Sequence, residues 1–294
     1  LDIVHYTSLG VILTSCVAAI GTDVFSRLSP LLNATTIRLN IGVYYYRFSG
    51  LFGNPNHFSF LVSILLASLC VIILKNAAKV LDYVIFALLS IFGFMSVSMS
   101  FIIAYACMLI MILYTALKNG GRVLYKLLAV VAVTGVALSA FLDTDTLSTI
   151  AFRFSGLMTE QADASSITSG RSDLWLMYLK YLITDIKSLF IGVGIGAGNL
   201  PGGASHNFYI EIIYYLGLIG GILFLICIVN IFKNNALKKK NRVVTNYIPL
   251  AIFIVRAFAI NILHSEQLVF CLLICVLALN WNPTSINISE NSHY

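Results

Sequence analysis

Residues 57–74 read HFSFLVSILLASLCVIIL and contain no Asp, Glu, Lys or Arg. A helix that crosses the hydrocarbon core of a bilayer needs about 20 consecutive, mostly apolar residues. Other stretches of this chain have a similar length and character, so the sequence predicts a series of membrane spans. The eight predicted spans are residues 3–21, 57–74, 80–98, 100–117, 123–142, 207–232, 246–263 and 266–281.

The composition of the 294-residue chain excludes an ordinary water-soluble enzyme. Its residues are 59% hydrophobic and 10% charged, whereas soluble domains have about 25% charged and 45–50% apolar residues. The same apolar content excludes a disordered chain, and the long unbroken runs differ from the short alternating segments of outer-membrane barrels. The sequence therefore predicts an all-α, polytopic helical membrane protein of about eight transmembrane helices, with residues 1–294 forming a single integral membrane domain.

Lysine is concentrated in three segments between the spans. These segments are residues 75–79, 118–126 and 233–242. Cytoplasmic loops of membrane proteins carry an excess of Lys and Arg, so the net charge of +6 is explained by topology rather than by nucleic-acid binding. If residues 98–100 form a tight turn on the outer side, the same topology places all three segments on the cytoplasmic side. Two long loops, 22–56 and 143–205, then lie outside, and both ends of the sequence lie inside.

The basic residues of the two outer loops are mainly arginines. They are Arg27, Arg38, Arg47, Arg153 and Arg171. Topology does not require arginine on this side, and the planar guanidinium group suits forked recognition of phosphate or carboxylate. The outer face is therefore predicted to hold an anion. For any one arginine taken singly, pairing with an acidic residue of the loops is the simpler interpretation, but the sequences around Arg47 and Arg171 favour an anion site.

The second outer loop is predicted to contain an amphipathic helix over residues 172–190. Polar residues such as Asp173 and Lys180 lie on one face at helical spacing, and apolar residues such as Tyr178 and Leu182 lie on the other. A helix this short and charged fits an interfacial position along the outer leaflet, where it would cover a cavity between the spans. The alternative is a helix packed on the outer surface of the protein.

Three segments carry the residues suited to chemistry, and two of them begin with the arginines already named. Arg47 precedes Gly and Asn-Pro, which break helix geometry, so it is predicted to lie on an irregular cap and to point inward. Arg171 lies at a helix N-terminus, where unpaired amides and a partial positive charge favour an anion.

The third segment runs from a glycine-rich turn at residues 192–196 to His206 and Asn207, at the edge of the sixth span. A neutral imidazole there is a candidate general base, although a histidine at a membrane boundary also serves as an interfacial anchor. Glu211 lies one turn deeper and is an ionisable residue within a span, which makes it a functional candidate. Arg256 in the seventh span is a weaker candidate that is explained equally well by pairing with a neighbour.

The combination of these motifs resembles the bacterial O-antigen polymerase/ligase superfamily. The resemblance covers about residues 40–232 and rests on RFSGLFxNPN from Arg47, GRxxxW from Gly170, GxGxG, then His206-Asn207 and GxxG from Gly217. It implies an integral-membrane glycosyltransferase of the GT-C type that uses no metal ion or other cofactor. Members usually have more than eight spans, so further N-terminal spans are expected before Leu1.

The resemblance also implies a donor, undecaprenyl diphosphate carrying a glycan repeat unit, and a place, the outer side of the bacterial cytoplasmic membrane. Arg47 and Arg171 are then the first candidates to hold the diphosphate, Arg153 is the third, and His206 is the candidate base. The residues expected to position the substrate or the acceptor are Asn207, Glu211, Asn54, Asn56 and Trp175. Expected partners are membrane lipids, a chain-length regulator and a flippase.

Several functions remain open at this point. A polymerase extends a growing chain on a lipid-linked repeat, whereas a ligase transfers the finished chain to lipid A core or to a protein. The Arg47 segment and the long second loop resemble polymerases more closely. A lipid or polysaccharide transporter is a third reading, but transporters place ionisable groups near the midplane. A scaffold of an assembly complex would make these residues dispensable.

Overall fold

The computed structural model describes most of the predicted spans and the part of the second outer loop that precedes the sixth span. The described residues are 2–20, 35–38, 44–50, 52, 54–75, 77–119, 125, 128–132, 134–136, 139, 151, 171–201, 203–237, 244–263 and 265–281. The elements in chain order are α1 (Asp2–Ile20), β1 (Thr35–Arg38), β2 (Tyr44–Arg47), α2 (Pro55–Leu74), α3 (Val80–Met95), α4 (Met99–Asn119), α5 (Arg171–Thr184), α6 (Ile186–Ile191), α7 (Phe208–Leu237), a 3₁₀ turn (Val244–Tyr247), α8 (Ile248–Ala257) and α9 (Glu266–Asn280).

Helix α2, the stretch from which the spans were predicted, is the centre of the bundle. It begins with Asn54 as its N-cap and Pro55 in its first turn, a combination that favours helix initiation. Helices α1, α3, α4, α8 and α9 all pack against it. Side chains on every face of α2, such as Phe60, Leu65 and Leu69, are fully buried, because a helix that is apolar all round has no face that prefers water.

Two helices of the described chain, α2 and the Phe208–Lys233 part of α7, are long and apolar enough to cross a membrane. The other apolar helices are 10–17 residues long by the same measure. Helix α7 differs from α2 because it leaves large apolar side chains such as Leu223 and Leu225 exposed. An exposed apolar helix of this length is unfavourable in water and favourable in lipid. The fold is therefore helical, with a character that indicates membrane association.

The apolar runs predicted most of the helix positions. Helices α1, α2, α3, α4, α7 and α9 coincide with predicted spans to within a few residues, whereas half of the predicted span 123–142 lies outside the described residues and its described residues are helical. The predicted turn between the third and fourth spans is also present, since α3 ends at Met95 and α4 begins at Met99, with Val97 in a left-handed conformation at φ +47°. The prediction for 246–263 is wrong in its last third, because α8 ends at Ala257 and residues 258–263 are not helical.

The all-α prediction omitted one feature, the antiparallel hairpin β1–β2 within the first outer loop. Its register pairs Thr35 with Arg47 and Arg38 with Tyr44. Arg47 therefore ends a strand rather than lying on an irregular cap, which corrects the prediction. The hairpin delivers the Arg47 backbone to the outer ends of α2 and α3.

The predicted amphipathic helix 172–190 is present as two helices, α5 and α6. The break falls at Asp185, whose carboxylate accepts a hydrogen bond from the Ser188 amide (3.3 Å) and caps α6. These hydrogen bonds hold the pKa of the Asp185 carboxyl below its ordinary value. The predicted faces are correct, since Lys180 is exposed while Tyr178 and Leu182 are buried.

Helix α7 is kinked at Gly217, where the end of α6 and the glycine-rich turn pack into it. Gly217 has φ +68°, and a Cβ atom there would lie 2.4 Å from the Phe190 oxygen and 2.5 Å from the Gly192 nitrogen. The kink leaves the carbonyl of Tyr214 without a helical partner, and the Val193 amide donates to it (2.9 Å). The glycine-rich turn therefore packs against the N-terminal part of α7.

Replacing Gly217 with alanine should lower the thermal unfolding temperature in detergent. The new side chain would have to adopt a left-handed backbone conformation and overlap with backbone atoms, a cost of about 1–3 kcal/mol or more. Gly196→Ala is the matched control, because a Cβ atom at Gly196 meets nothing within 4 Å. Equal unfolding temperatures for the two variants would contradict the described packing.

Candidate functional site

Arg47 lies at the end of the bundle where α2 begins and α3 ends, and it is 7% exposed. Its Nε atom donates to the Ser96 carbonyl oxygen (2.9 Å), and its Nη2 atom donates to Asn56 Oδ1 (2.9 Å). The guanidinium group thus spans the start of α2 and the turn between α3 and α4. Only the planar fork of an arginine makes both contacts at once.

Asn56 links Arg47 to the interior of the bundle. Its side-chain oxygen accepts hydrogen bonds from Arg47 and from Ser98 Oγ (3.1 Å), while its backbone oxygen accepts one from Arg256 Nη2 (3.0 Å). Asn54 Oδ1 accepts the Asn56 amide (2.8 Å) and caps α2. Both asparagine side chains therefore bind the protein itself, and their predicted contact with substrate stays a prediction.

Arg256 is the residue that the sequence analysis ranked too low. It lies in the last turn of α8 with 1% of its surface exposed, and it donates to Ser59 Oγ (2.8 Å) and to Ser100 Oγ. Its neighbours in these contacts are neutral, and no carboxylate of the described residues forms an ion pair with it. The signal was present in the sequence, since a charged residue inside an apolar stretch marks a functional candidate.

Arg171 approaches the same cluster from the second outer loop. It begins α5, is half-buried, and its Nη1 atom donates to the carbonyl oxygen of Ala259, just beyond α8. Its charge lies close enough to Arg256 and to His206 to act on both electrostatically. Arg171 therefore connects the arginine cluster to His206.

His206 lies two residues before α7 in a left-handed backbone conformation, φ +50°. Non-glycine residues seldom adopt this conformation, and such strain concentrates at functional sites. Burial of the imidazole, then the charge of Arg171 and then that of His57, lower the pKa of His206 from its ordinary value. The imidazole is therefore neutral at pH 7 and suited to accept a proton.

The loop that carries His206 is held by aromatic side chains of α5 and α7. Trp175 Nε1 donates to the Ser205 carbonyl oxygen (2.9 Å), and the Tyr178 hydroxyl donates to the Gly203 carbonyl oxygen (2.8 Å). Trp175 thus orients the residue before His206, and its predicted contact with substrate stays a prediction. Burial raises the pKa of the Tyr178 hydroxyl, so this donor keeps its proton.

Asn207 and Glu211 both bind backbone groups of the protein. Asn207 caps α7, because its Oδ1 accepts the amide of Tyr209 (3.0 Å). Glu211 is 3% exposed, and its Oε2 accepts the amides of Ile262 (3.0 Å) and Leu263 (3.1 Å). Glu211 thus holds the backbone of the segment after α8, and the predicted role of both residues in positioning an acceptor stays a prediction.

Two further residues bear on the site, His57 and Arg153. His57 lies near the start of α2, within electrostatic range of His206 and in contact with the Gln267 side chain; the sequence analysis gave it no role. Arg153 lies outside the described residues. Within the described parts of the chain, no group of three His, Cys, Asp or Glu side chains is placed to hold a metal ion.

Comparisons with known proteins identify no family for this chain. No family model, curated protein or solved structure matches the chain. The described part of the chain is a helical bundle with membrane character. At one end of that bundle, Arg47 and Arg171, from two separate stretches of sequence, lie within electrostatic range of Arg256, and Arg171 also lies within range of His206.

Replacing Arg171 with glutamine should raise the pKa of His206, because it removes a positive charge that disfavours the protonated imidazole. In the unaltered protein this pKa should lie below the ordinary histidine value of about 6.5. The measurement is an NMR titration of the His206 ring protons in detergent. Arg171→Lys is the control, since it retains the charge and should leave the pKa in place. An unshifted pKa in the glutamine variant would contradict the electrostatic contact.

Proposed function

We propose that this chain is a polytopic membrane glycosyltransferase that polymerises undecaprenyl-diphosphate-linked repeat units into O-antigen or capsular polysaccharide. The observation that carries the proposal is that Arg47 and Arg171 lie within electrostatic range of Arg256, and that Arg171 also lies within range of a neutral His206. A cluster of guanidinium groups fits a diphosphate, and an adjacent imidazole fits an acceptor hydroxyl. The resemblance of the motifs supports the substrate class.

The proposed reaction is a direct displacement at the anomeric carbon of the donor sugar. The acceptor hydroxyl attacks this carbon, the bond to the diphosphate oxygen breaks, and undecaprenyl diphosphate leaves with the bonding electrons. His206 takes the proton from the hydroxyl, and attack opposite to the leaving group inverts the anomeric centre. Negative charge grows on the diphosphate as the bond breaks, so fixed positive charges stabilise the transition state more than the ground state.

The two outer-loop arginines contribute in different ways. Arg171 is half-buried, and we assign it the direct contact with the diphosphate. Arg47 is more deeply buried, with two nitrogen atoms held by the protein, so it supplies fixed charge and shape from the wall of the site. Arg153 remains a candidate for a third contact.

In this proposal the chain crosses the bilayer about eight times in a GT-C-like arrangement within the bacterial cytoplasmic membrane. The lysine-rich segments face the cytoplasm and the site faces the periplasm or the cell exterior. An apolar groove of about 680 Å³ runs between α7, α8 and α9, from Phe208 near His206 to Phe232 and Lys233. Such a groove suits the isoprenoid chain of the donor, whose diphosphate would then lie at the outer end.

A ligase would use the same donor chemistry, and the preference for a polymerase rests on the resemblance of the Arg47 segment and the second loop. A transporter fits less well. The charged groups of the cluster lie at one end of α2, α4 and α8, whereas a transporter binds its substrate near the bilayer midplane.

The proposal is tested by the size of lipid-linked glycans in cells with and without this protein, all other enzymes being retained. A polymerase predicts a ladder of chain lengths that collapses to one repeat when the protein is removed. Long chains that remain on the carrier lipid would show a ligase instead. An unchanged ladder, without long chains left on the carrier lipid, would contradict both.

A further inference from the structure

The large buried cation Arg256 has no direct part in the reaction proposed above. Its side chain is the largest fully buried side chain of the described residues. Its acceptors on Asn56, Ser59 and Ser100 are all neutral. Its Nε atom is buried without a hydrogen-bond partner, and no carboxylate of the described chain forms an ion pair with it.

This arrangement is electrostatically unfavourable when no ligand is bound. An arginine stays protonated in proteins, and a buried charge without an opposite charge is costly. Arg47 and Arg171 add two like charges within interaction range of Arg256. A diphosphate beside the three guanidinium groups would remove much of this repulsion.

Arg256 is also connected to Arg47 through hydrogen bonds to Asn56. Arg256 binds the backbone oxygen of Asn56, while Arg47 binds the side-chain oxygen of the same residue. Any shift of Asn56 therefore displaces the partner that orients Arg47. Arg256 itself is too deeply buried to touch a ligand.

We propose that Arg256 is a positioning residue of the anion site. It fixes Asn56, and through Asn56 it fixes Arg47, while its own charge raises the affinity for a diphosphate from behind the wall of the site. The inference rests on the proposed function for the identity of the anion. It assigns a role to a residue outside the motifs that indicated that function.

The test is the affinity of the purified full chain in detergent for inorganic pyrophosphate, measured by titration calorimetry. Arg256→Gln should weaken binding on the order of tenfold, because it removes a nearby buried charge. Arg256→Lys keeps the charge but reaches fewer acceptors, and it should recover part of the loss, which a packing role alone would not produce. Unchanged affinity in a folded glutamine variant, or no pyrophosphate binding by the unaltered protein, would overturn the inference.

Ser59→Ala keeps the test decisive if the Arg256 variants do not fold. It removes one acceptor of Arg256 and should weaken pyrophosphate binding severalfold. Ser68→Ala is the matched control, since Ser68 is also buried on α2 but bonds only to its own helix, at the Ile64 oxygen (2.8 Å). Equal affinities in the two serine variants would count against the inference.

The two proposals fail in distinguishable ways. Pyrophosphate affinity that depends on Arg256, together with an unchanged glycan ladder in cells, would refute the polymerase and retain the positioning role. A ladder that collapses without the protein, together with pyrophosphate affinity independent of Arg256, would do the reverse.

Discussion

Replacing His206 with alanine should abolish long polymer while leaving the protein in the membrane. In the proposed reaction the imidazole accepts the proton of the acceptor hydroxyl, and its lowered pKa keeps it neutral at pH 7. A positioned base contributes about 10²–10⁴-fold to the rate. The measurement is the length distribution of lipid-linked glycans, with the level of membrane-bound protein checked in the same cells.

His206→Asn separates the chemistry from the backbone. His206 has φ +50°, and asparagine tolerates this conformation far better than alanine. The asparagine variant should therefore fold normally and still lack long polymer. Chains of normal length in the asparagine variant would remove His206 from the mechanism.

Replacing Arg47 with lysine should also prevent polymer formation, although the charge is kept. A single ammonium group cannot replace the two nitrogen atoms that bind the Ser96 oxygen and Asn56 Oδ1 at the same time. The loss of one fixed, charge-stabilising group from a site of this kind costs about 10²–10³ in rate. The assay is the initial rate of polymer formation in membranes.

Arg38→Lys is the matched control, because Arg38 lies in the other strand of the same hairpin and pairs with Tyr44 at its far end. This variant should retain full activity. Full activity in Arg47→Lys as well would show that only charge is required at that position and would contradict the forked contact.

The apolar runs were sufficient to place the helices. The kink of α7 and the end of α8 could not be predicted, because they involve contacts with backbone atoms that are distant in the sequence. The kink of α7 requires both Gly217 and Gly192, which lie close together only in the folded chain. The end of α8 depends on Glu211, whose partners Ile262 and Leu263 are about 50 residues further along the sequence. The hairpin did leave a local signal, since β-branched and aromatic residues fill both strands.

The site was predictable in its charges and less so in its contacts. Arg171 and His206 were singled out by position and lie within electrostatic range of each other. The contacts of Asn207 and Trp175 could not be predicted, because polar side chains bind whichever backbone groups the fold brings to them, here the Tyr209 amide and the Ser205 oxygen. Arg256 was undervalued because the loss of an ion pair is visible only once its neighbours are known.

The central claim is that one diphosphate binds among these arginines, next to His206. The direct measurement is an experimental structure of the protein reconstituted with a non-hydrolysable polyprenyl diphosphate sugar. The account predicts phosphate oxygens within hydrogen-bonding distance of Arg171, in the field of Arg47 and Arg256, with the sugar beside His206. A diphosphate bound at the lysine-rich end of the bundle, or remote from His206, would contradict it.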